Sequence, residues 1–383
     1  MRKSVDGKQI VSIVKCSDYT PANVEKAVEK AIDLIGGIKK FVKPKNKVLL
    51  KVNLLMPKPP SAGVTTHPAV MIAVAKLVKK AGGIVTIGDS SMWQTERALE
   101  ICGVNEAAKE AGAKVINLDG SNPKKVKIKK GEILKEIYLS SKIFESDVII
   151  SVPKLKAHEL TLLTGAVKNM FGVVPGRYKS QVHKNFPRPQ QFSEALLDIF
   201  SVATPQLSVM DGVMSVQGSA GVGSTKKMKV ILASDNAIAL DTAAAKIIGY
   251  NPTELPINHA ARKRGLSGTR LSEIQVKGVP ISQVSDEHFR KPPFLMRWFM
   301  SNPQLNPIVG SEYRPVLSRA KCVRCGICAK HCPVEAINMK PYPVFNYDEC
   351  IQCFCCREGC REGAITIREP LLSRLVSSAL NFI

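Results

Sequence analysis

Nine of the eleven cysteines in this 383-residue chain fall between Cys322 and Cys360, in two runs whose spacing points to metal chemistry. The first is Cys322-Val-Arg-Cys325-Gly-Ile-Cys328-Ala-Lys-His-Cys332-Pro333, and the second is Cys350-Ile-Gln-Cys353-Phe-Cys355-Cys356-Arg-Glu-Gly-Cys360. Each contains C-x2-C-x2-C-x3-C. The four matched cysteines are offset by 28 residues, and the agreement runs on from Glu335-Ala-Ile-Asn-Met339 into Gly363-Ala-Ile-Thr-Ile367, so the segment is an internal duplication. Two x2 steps let three thiolates converge on one cube of iron and sulfide, while the x3 step carries the fourth cysteine away. Three other readings compete. Disulfide frameworks suit small secreted domains, zinc sites usually set two C-x2-C pairs further apart, and a buried cluster of free thiols would not need the repeated spacing. Cys355 is surplus to the ligand count. Cys16 and Cys102 stand alone and read as small buried hydrophobes.

From about Glu312 to Glu369 the chain resembles the bacterial-type two-cluster ferredoxin domain, carried by these cysteine runs and their length. In such domains the fourth cysteine of each run serves the other cluster. The resemblance therefore implies Cys322, Cys325, Cys328 and Cys360 for one 4Fe-4S cluster, and Cys350, Cys353, Cys356 and Cys332 for a second. It further implies a small α+β fold with pseudo-twofold symmetry and low-potential one-electron transfer. One position departs from the pattern: Pro333 follows the first run, but Arg361 stands where the second run would carry proline. Proline fixes a turn and removes a donor, whereas arginine brings a positive charge towards the cluster.

The elements that must position any partner chemistry lie upstream. Short β-branched runs alternate with helical stretches, which predicts an α/β domain around a largely parallel sheet. Strands are expected at Ile10 to Val14, Val48 to Val52, Ile84 to Gly88, Val115 to Leu118, Val148 to Val152, Leu207 to Met210 and Val230 to Ala233, with an edge hairpin at Val126 to Tyr138. Thr20-Pro21, His67-Pro68 and Asp235 mark helix starts. Ligands in such sheets sit beyond the carboxyl ends of the strands, and Asn53, Asp89, Lys154, Lys156 and Asp211 fall there. From Lys154 to Gly176, a helical projection gathers Leu160, Leu163, Val167, Met170 and Phe171 on one face and His158, Thr161, Gly165, Lys168 and Asn169 on the other. That predicts a helix that packs on one side and binds on the other, with a solvated polar face as the plainer alternative. His158, Lys168 and Asn169 are accordingly the expected catalytic residues, and Lys154, Lys156, Asp89 and Asp211 the expected binding residues. Gly218, Gly221 and Gly223 form a glycine loop that can cradle an anion, although it matches neither phosphate-loop fingerprint.

Val52-Asn53-Leu54, Thr65-Thr66-His67-Pro68, Gly88-Asp89-Ser90, the Lys154 to Gly176 stretch, Asp211-Gly212 and Ala239-Leu240-Asp241 together resemble the domain-of-unknown-function 362 family. Members of that family often occur with a ferredoxin module, so the resemblance implies a redox-associated iron-sulfur protein; it lends no substrate. The expected organisation is an α/β domain over 1–288, a proline-rich linker over 289–311, the ferredoxin domain over 312–369 and a short amphipathic tail over 370–383.

The formal charge is +23, yet nine basic and seven acidic residues lie between Glu312 and Glu369, which leaves +21 to the rest of the chain. The plainer reading is a lysine-coated surface, and any attraction for an anion belongs mostly to the large domain. Aromatics are only 5% of the chain, few for a nucleic-acid stacking surface. No run reaches the roughly 20 apolar residues of a membrane span, and the start lacks a secretory apolar core, so a cytoplasmic protein is expected. The function expected is that of an iron-sulfur oxidoreductase or electron-transfer protein, passing single electrons between two 4Fe-4S clusters and a site in the α/β domain. A flavin or other second cofactor is left open. Its partners would be a redox protein or low-potential donor and an anionic small molecule, with peripheral membrane contact open and nucleic acid not expected. The alternative is a cluster-bearing redox sensor whose basic domain binds an anionic partner or nucleic acid.

Overall fold

The structure is a computed structural model that describes residues 7–91, 94–120, 122–218, 223–292 and 314–368. Gly221, the linker from residue 293 onward and the whole 370–383 tail lie outside the described residues.

Strands β1 (Gln9–Lys15), β2 (Lys47–Lys51), β3 (Ile84–Asp89) and β4 (Lys114–Asn117) are separated by helices α1 (Pro21–Asp33), α2 (Pro68–Lys80), α3 (Thr95–Ile101) and α4 (Val104–Ala111). A hairpin of β5 (Pro123–Lys127) and β6 (Glu136–Ser140) follows, then β7 (Val148–Ser151), β8 (Lys154–His158) and β9 (Leu162–Thr164). Next come α5 (Ala166–Asn169), α6 (Gly176–Asn185), α7 (Pro189–Val202), β10 (Leu207–Gln217), β11 (Ser224–Ser234), α8 (Ala237–Ile247), α9 (Pro256–Lys263) and β12 (Ile274–Gly278).

The main sheet runs β12-β1-β11-β10-β7-β2-β3-β4, with β8 and β9 branching from β10. Pairing is parallel from β10 through β7, β2 and β3 to β4, and between β1 and β12; β11 is antiparallel to both β1 and β10. Alternate strand residues feed two cores, as the period of two requires. Leu49, Val230 and Leu232 pack with α7, α8 and α9, whereas Val48, Leu50, Ile231 and Ala233 pack with α1, α2 and α4. The sheet is thus buried on both faces, the condition under which parallel strands form.

All seven expected strands are present, but the 154–176 stretch is not one helix. It is a β8–β9 hairpin followed by one helical turn, with Lys156 opposite Thr164 and His158 opposite Leu162. The turn uses unusual chemistry: the Nδ1 of His158 accepts from the backbone N–H groups of Leu160 (3.1 Å) and Thr161 (3.4 Å), and Leu162 takes φ 65°. The expected edge hairpin exists as a separate two-stranded sheet.

In the cysteine-rich region β13 (Arg314–Leu317) pairs with β16 (Ile365–Arg368), and β14 (Ile337–Lys340) pairs with β15 (Tyr342–Phe345). The duplication is visible in the backbone. Arg324 and Gln352, Gly326 and Phe354, and Glu335 and Gly363 all have positive φ, each pair 28 residues apart. The sulfurs of Cys332 and Cys360 both accept from the N–H four residues on, at 3.2 Å.

Candidate functional site

Beyond the carboxyl ends of β2, β3 and β8 lies a cavity of about 80 Å³, closed on its far side by the cysteine-rich region. β2 and the segment after it bring Lys51 and Asn53, β3 brings Asp89, and β8 brings Lys156 and His158. Thr164 comes from β9, Lys168 and Asn169 from α5, and Lys179 and His183 from α6. The roof is made by His331, Cys355 and Glu358.

Two side chains form the floor. Lys51 Nζ lies 2.8 Å from Asp89 Oδ1, and Asp89 Oδ2 accepts from Leu54 N at 2.7 Å. Gly172 permits this pair, since a Cβ there would stand 2.1 Å from Asp89 Oδ1. Asn169 is fully used: its amide donates to Lys51 O and Ser151 Oγ, and its oxygen accepts from Lys51 Nζ and Asn53 Nδ2. It positions the floor and has no donor left for a ligand.

The other cations have no such pairing. Lys156 Nζ donates to Asn53 Oδ1 and Val64 O, both at 2.8 Å. Lys179 Nζ donates to Ser90 O at 2.6 Å and also contacts Ser90 Oγ. Burial, then the charge of Lys168, pushes Lys156 down to about 7; burial brings Lys179 down to about 8 and also lowers Lys168. His183, 5% exposed, is held down at about 3 by burial.

A histidine–carboxylate hydrogen bond and one ion pair tie the roof to the hairpin. His158 Nε2 lies 2.8 Å from Glu358 Oε1, and Arg357 Nη1 lies 3.3 Å from Glu159 Oε1. Because His158 Nδ1 accepts two backbone donors, the ring proton sits on Nε2, facing Glu358. Burial alone would raise Glu358, but the hydrogen bond from His158 and the charge of Lys168 hold its carboxyl below the usual range. His158, Glu159 and Glu358 could gather around a cation, although Arg357 already answers Glu159.

The remaining expected residues are elsewhere. Lys154 Nζ and Asp211 Oδ2 form a buried pair at 2.8 Å, which Tyr19 joins through bonds of 2.6 Å to the lysine and 2.8 Å to Asp211 Oδ1. This network holds β8, β10 and the start of α1, and neither residue lines the cavity. Gly218 sits at the tip of the β10–β11 hairpin, where its N–H donates to Arg290 O at 2.7 Å; neither it nor Gly223 faces the cavity. Gly165 is explained by a side chain instead of a ligand. A Cβ there would lie 2.1 Å from Asp241 Oδ1, and Asp241 accepts from Ala166 N and Val167 N at the start of α5. Lys51, Lys179, His183 and Glu358 were missed by sequence reasoning; of these only Lys179 and His183, four apart on α6, carried a signal of a shared face.

The cysteines can be assigned to groups by their neighbours. Cys322, Cys325, Cys328 and Cys360 line one cavity of about 240 Å³, alongside Arg324 and Arg361. Burial pushes Cys328 up to about 11, and the thiols adding to that shift are Cys325, Cys360 and Cys322. Burial likewise raises Cys350, with Cys353 and Cys332 as the contributing thiols. The fourth cysteine of each run thus stands with the opposite run. A thiol-lined void of this kind fits an iron-sulfur cluster, since metal binding would deprotonate thiols that burial otherwise keeps neutral. Cys355 is buried, is hydrogen-bonded to the free thiol of Cys353 and lines the cavity that holds Lys156 and Lys168.

The residue pattern of the family described as domain of unknown function (DUF362) matches residues 48–246. The chain belongs to that family. The 4Fe-4S binding domain pattern matches residues 315–338 of this DUF362 protein, which is an iron-sulfur protein of the 4Fe-4S type. A thylakoid-associated protein of Synechocystis sp. is 30% identical over 262 residues, covering 68% of this chain and 80% of the relative. Among solved structures, the lactate racemase apoprotein of Thermoanaerobacterium thermosaccharolyticum aligns at TM-score 0.44 and 12% identity, over 63% of this chain and 57% of its own. A Thermotoga maritima protein aligns at TM-score 0.35 and 14% identity, over 70% of this chain and 62% of its own. The DUF362 protein thus spans less than two thirds of either solved chain. No helix among its described residues is long and apolar enough to cross a membrane.

Proposed function

We propose that this protein is an iron-sulfur oxidoreductase in which single electrons pass between two 4Fe-4S clusters and a molecule held in the cavity under the cysteine-rich region. The ligands are Cys322, Cys325, Cys328 and Cys360 for one cluster and Cys350, Cys353, Cys356 and Cys332 for the other. The clusters would supply low-potential one-electron carriers.

One observation carries the reading: Cys355 and Glu358, which flank the ligand Cys356, line the same cavity as Lys156, Lys168 and His183. A molecule in that cavity would lie within a few residues of the second cysteine set. The chain's own residues have separable tasks. His158 and Glu358, with Arg357 and Glu159, dock the roof and exclude water. Lys51 and Asp89 set the floor, Asn169 orients it, and His183, kept neutral by burial, is left to hydrogen-bond the bound molecule.

The test is reoxidation of dithionite-reduced protein by a panel of anionic metabolites, flavins and nucleotides. Ser180→Phe, at the cavity wall, should leave iron content and the reduced spectrum intact and slow reoxidation by the active compound at least tenfold. Equal rates for parent and variant would place the acceptor elsewhere.

A further inference from the structure

The cavity's polar atoms are unequally satisfied. Lys51 has Asp89 and His158 has Glu358. Lys156, Lys168 and Lys179 form no ion pair with a carboxylate among the described residues, and their bonds are to neutral oxygens or, for Lys168, an approach of 6.0 Å to the Phe192 ring. Two further buried atoms on the same wall, His183 Nδ1 and Thr164 Oγ1, have no hydrogen-bond partner. Lys156 is buried and Lys168 and Lys179 are half-buried, and charge or polar atoms withdrawn from water are costly unless paired. Three lysine amines without a carboxylate partner and two open polar atoms around one void are what an oxygen-rich anion would complete.

We propose that the cavity is a binding site for the oxyanion group of a small molecule, a carboxylate or a phosphoryl, held by Lys156, Lys168 and Lys179 with Thr164 and His183 completing its hydrogen bonds. This rests on the reading of the cavity as the place where electrons arrive. Size supports it. A cavity of ~150 Å³ takes benzene, so one of about 80 Å³ takes a group of about four non-hydrogen atoms, which suits a carboxylate on its carbon or a phosphoryl. The electrostatics agree. Lys156 is faced by Lys168, Lys154, Glu358 and Asp89, and a bound anion would tip that balance towards the charged ammonium. Binding near pH 8 therefore takes up protons.

The test is calorimetric titration of the full, cluster-loaded chain without oxygen, using inorganic phosphate, acetate and the neutral isostere acetamide. Phosphate or acetate should bind at least tenfold more tightly than acetamide; which of the two binds distinguishes a phosphoryl from a carboxylate ligand. Lys168→Met and Lys179→Met should each weaken that binding at least tenfold. Repeating the parent titration at pH 8 in two buffers of different ionisation heat should reveal net proton uptake, an arm that stands even if the variants do not fold. Acetamide binding as well as both anions, unchanged binding in folded lysine variants, or no proton uptake would overturn the site. The readout uses no electrons: loss of anion binding with cavity-dependent reoxidation intact sinks this inference alone, whereas anion binding with no cavity-dependent electron exchange sinks the functional reading alone.

Discussion

Asp211→Asn separates a structural role from a ligand role at a residue whose position, after a strand, invited the ligand reading. Asp211 is fully buried and takes four donors: Lys154 Nζ at 2.8 Å and His67 N at 3.0 Å on Oδ2, Tyr19 O–H at 2.8 Å and Val213 N at 3.2 Å on Oδ1. Asparagine offers one oxygen and turns an N–H₂ towards the remaining donors. Lys154, 1% exposed, would lose its only carboxylate among the described residues. Breaking a buried pair by removing one partner costs about 3–5 kcal/mol. At about 2–4 °C per kcal/mol for a domain of this order, the melting temperature of the variant should fall by roughly 6–20 °C. Lys154→Met alone should lose stability too, and the double variant should lose less than the sum, because the stranded charge is gone. Scanning calorimetry under anaerobic conditions reads these shifts, with iron content and anion affinity measured alongside. An Asp211→Asn protein as stable as its parent but impaired in anion binding would refute the structural assignment.

Cys355→Ser should keep both clusters, because Cys355 falls outside the repeated C-x2-C-x2-C-x3-C spacing and lines the cavity beside Lys168; a lower iron count or a missing spectral component would show it to be a ligand. Gly165→Ala drives a methyl group to 2.1 Å from Asp241 Oδ1, and overpacking of this kind should cost about 1–3 kcal/mol in chemical denaturation; unchanged stability would mean that α5 shifts freely. Lys156 has a native pKa of about 7 against an ordinary 10.5. Between those values the unfolded chain binds a proton that the native chain does not, so this group makes stability rise with pH from about 7 to 10.5. Lys156→Met should flatten that part of a stability-pH profile, and an unchanged slope would show that Lys156 does not cause it.

The cysteine spacing was legible because ligand geometry is written locally, and the parallel strands because burial on both faces leaves continuous β-branched runs. The β8–β9 hairpin was not. Every residue from Lys154 to Ala166 is buried, so no alternation marks the strands, and their apolar positions happened to match a helical period. The turn between them has no glycine, proline or asparagine; His158 supplies the capping instead. The cavity was half legible. Strand-end lysines and Asp89 could be named, but which of them face one another depends on register: Lys154 and Lys156 lie two apart on β8, yet only Lys156 lines the cavity. The roof was hidden in the duplication. At the 28-residue offset, Cys355 replaces Ile327, Glu358 replaces Lys330 and Arg361 replaces Pro333. Two of these three breaks in the repeat, Cys355 and Glu358, face the cavity, and Arg361 lines the void of the first cysteine set. Departures from internal symmetry were the available signal.

Metal and sulfide analysis of oxygen-free protein, with spin counting on its reduced form, tests the central claim most directly. The proposed eight cysteine ligands predict about eight iron and eight labile sulfide per chain, and reduction should give paramagnetic resonance from two neighbouring 4Fe-4S clusters. Cys332→Ser should then damage the cluster held mainly by the 350–356 cysteines, and Cys360→Ser the one held by the 322–328 cysteines. Stoichiometric zinc without sulfide, or a single cluster unaffected by either substitution, would contradict the account.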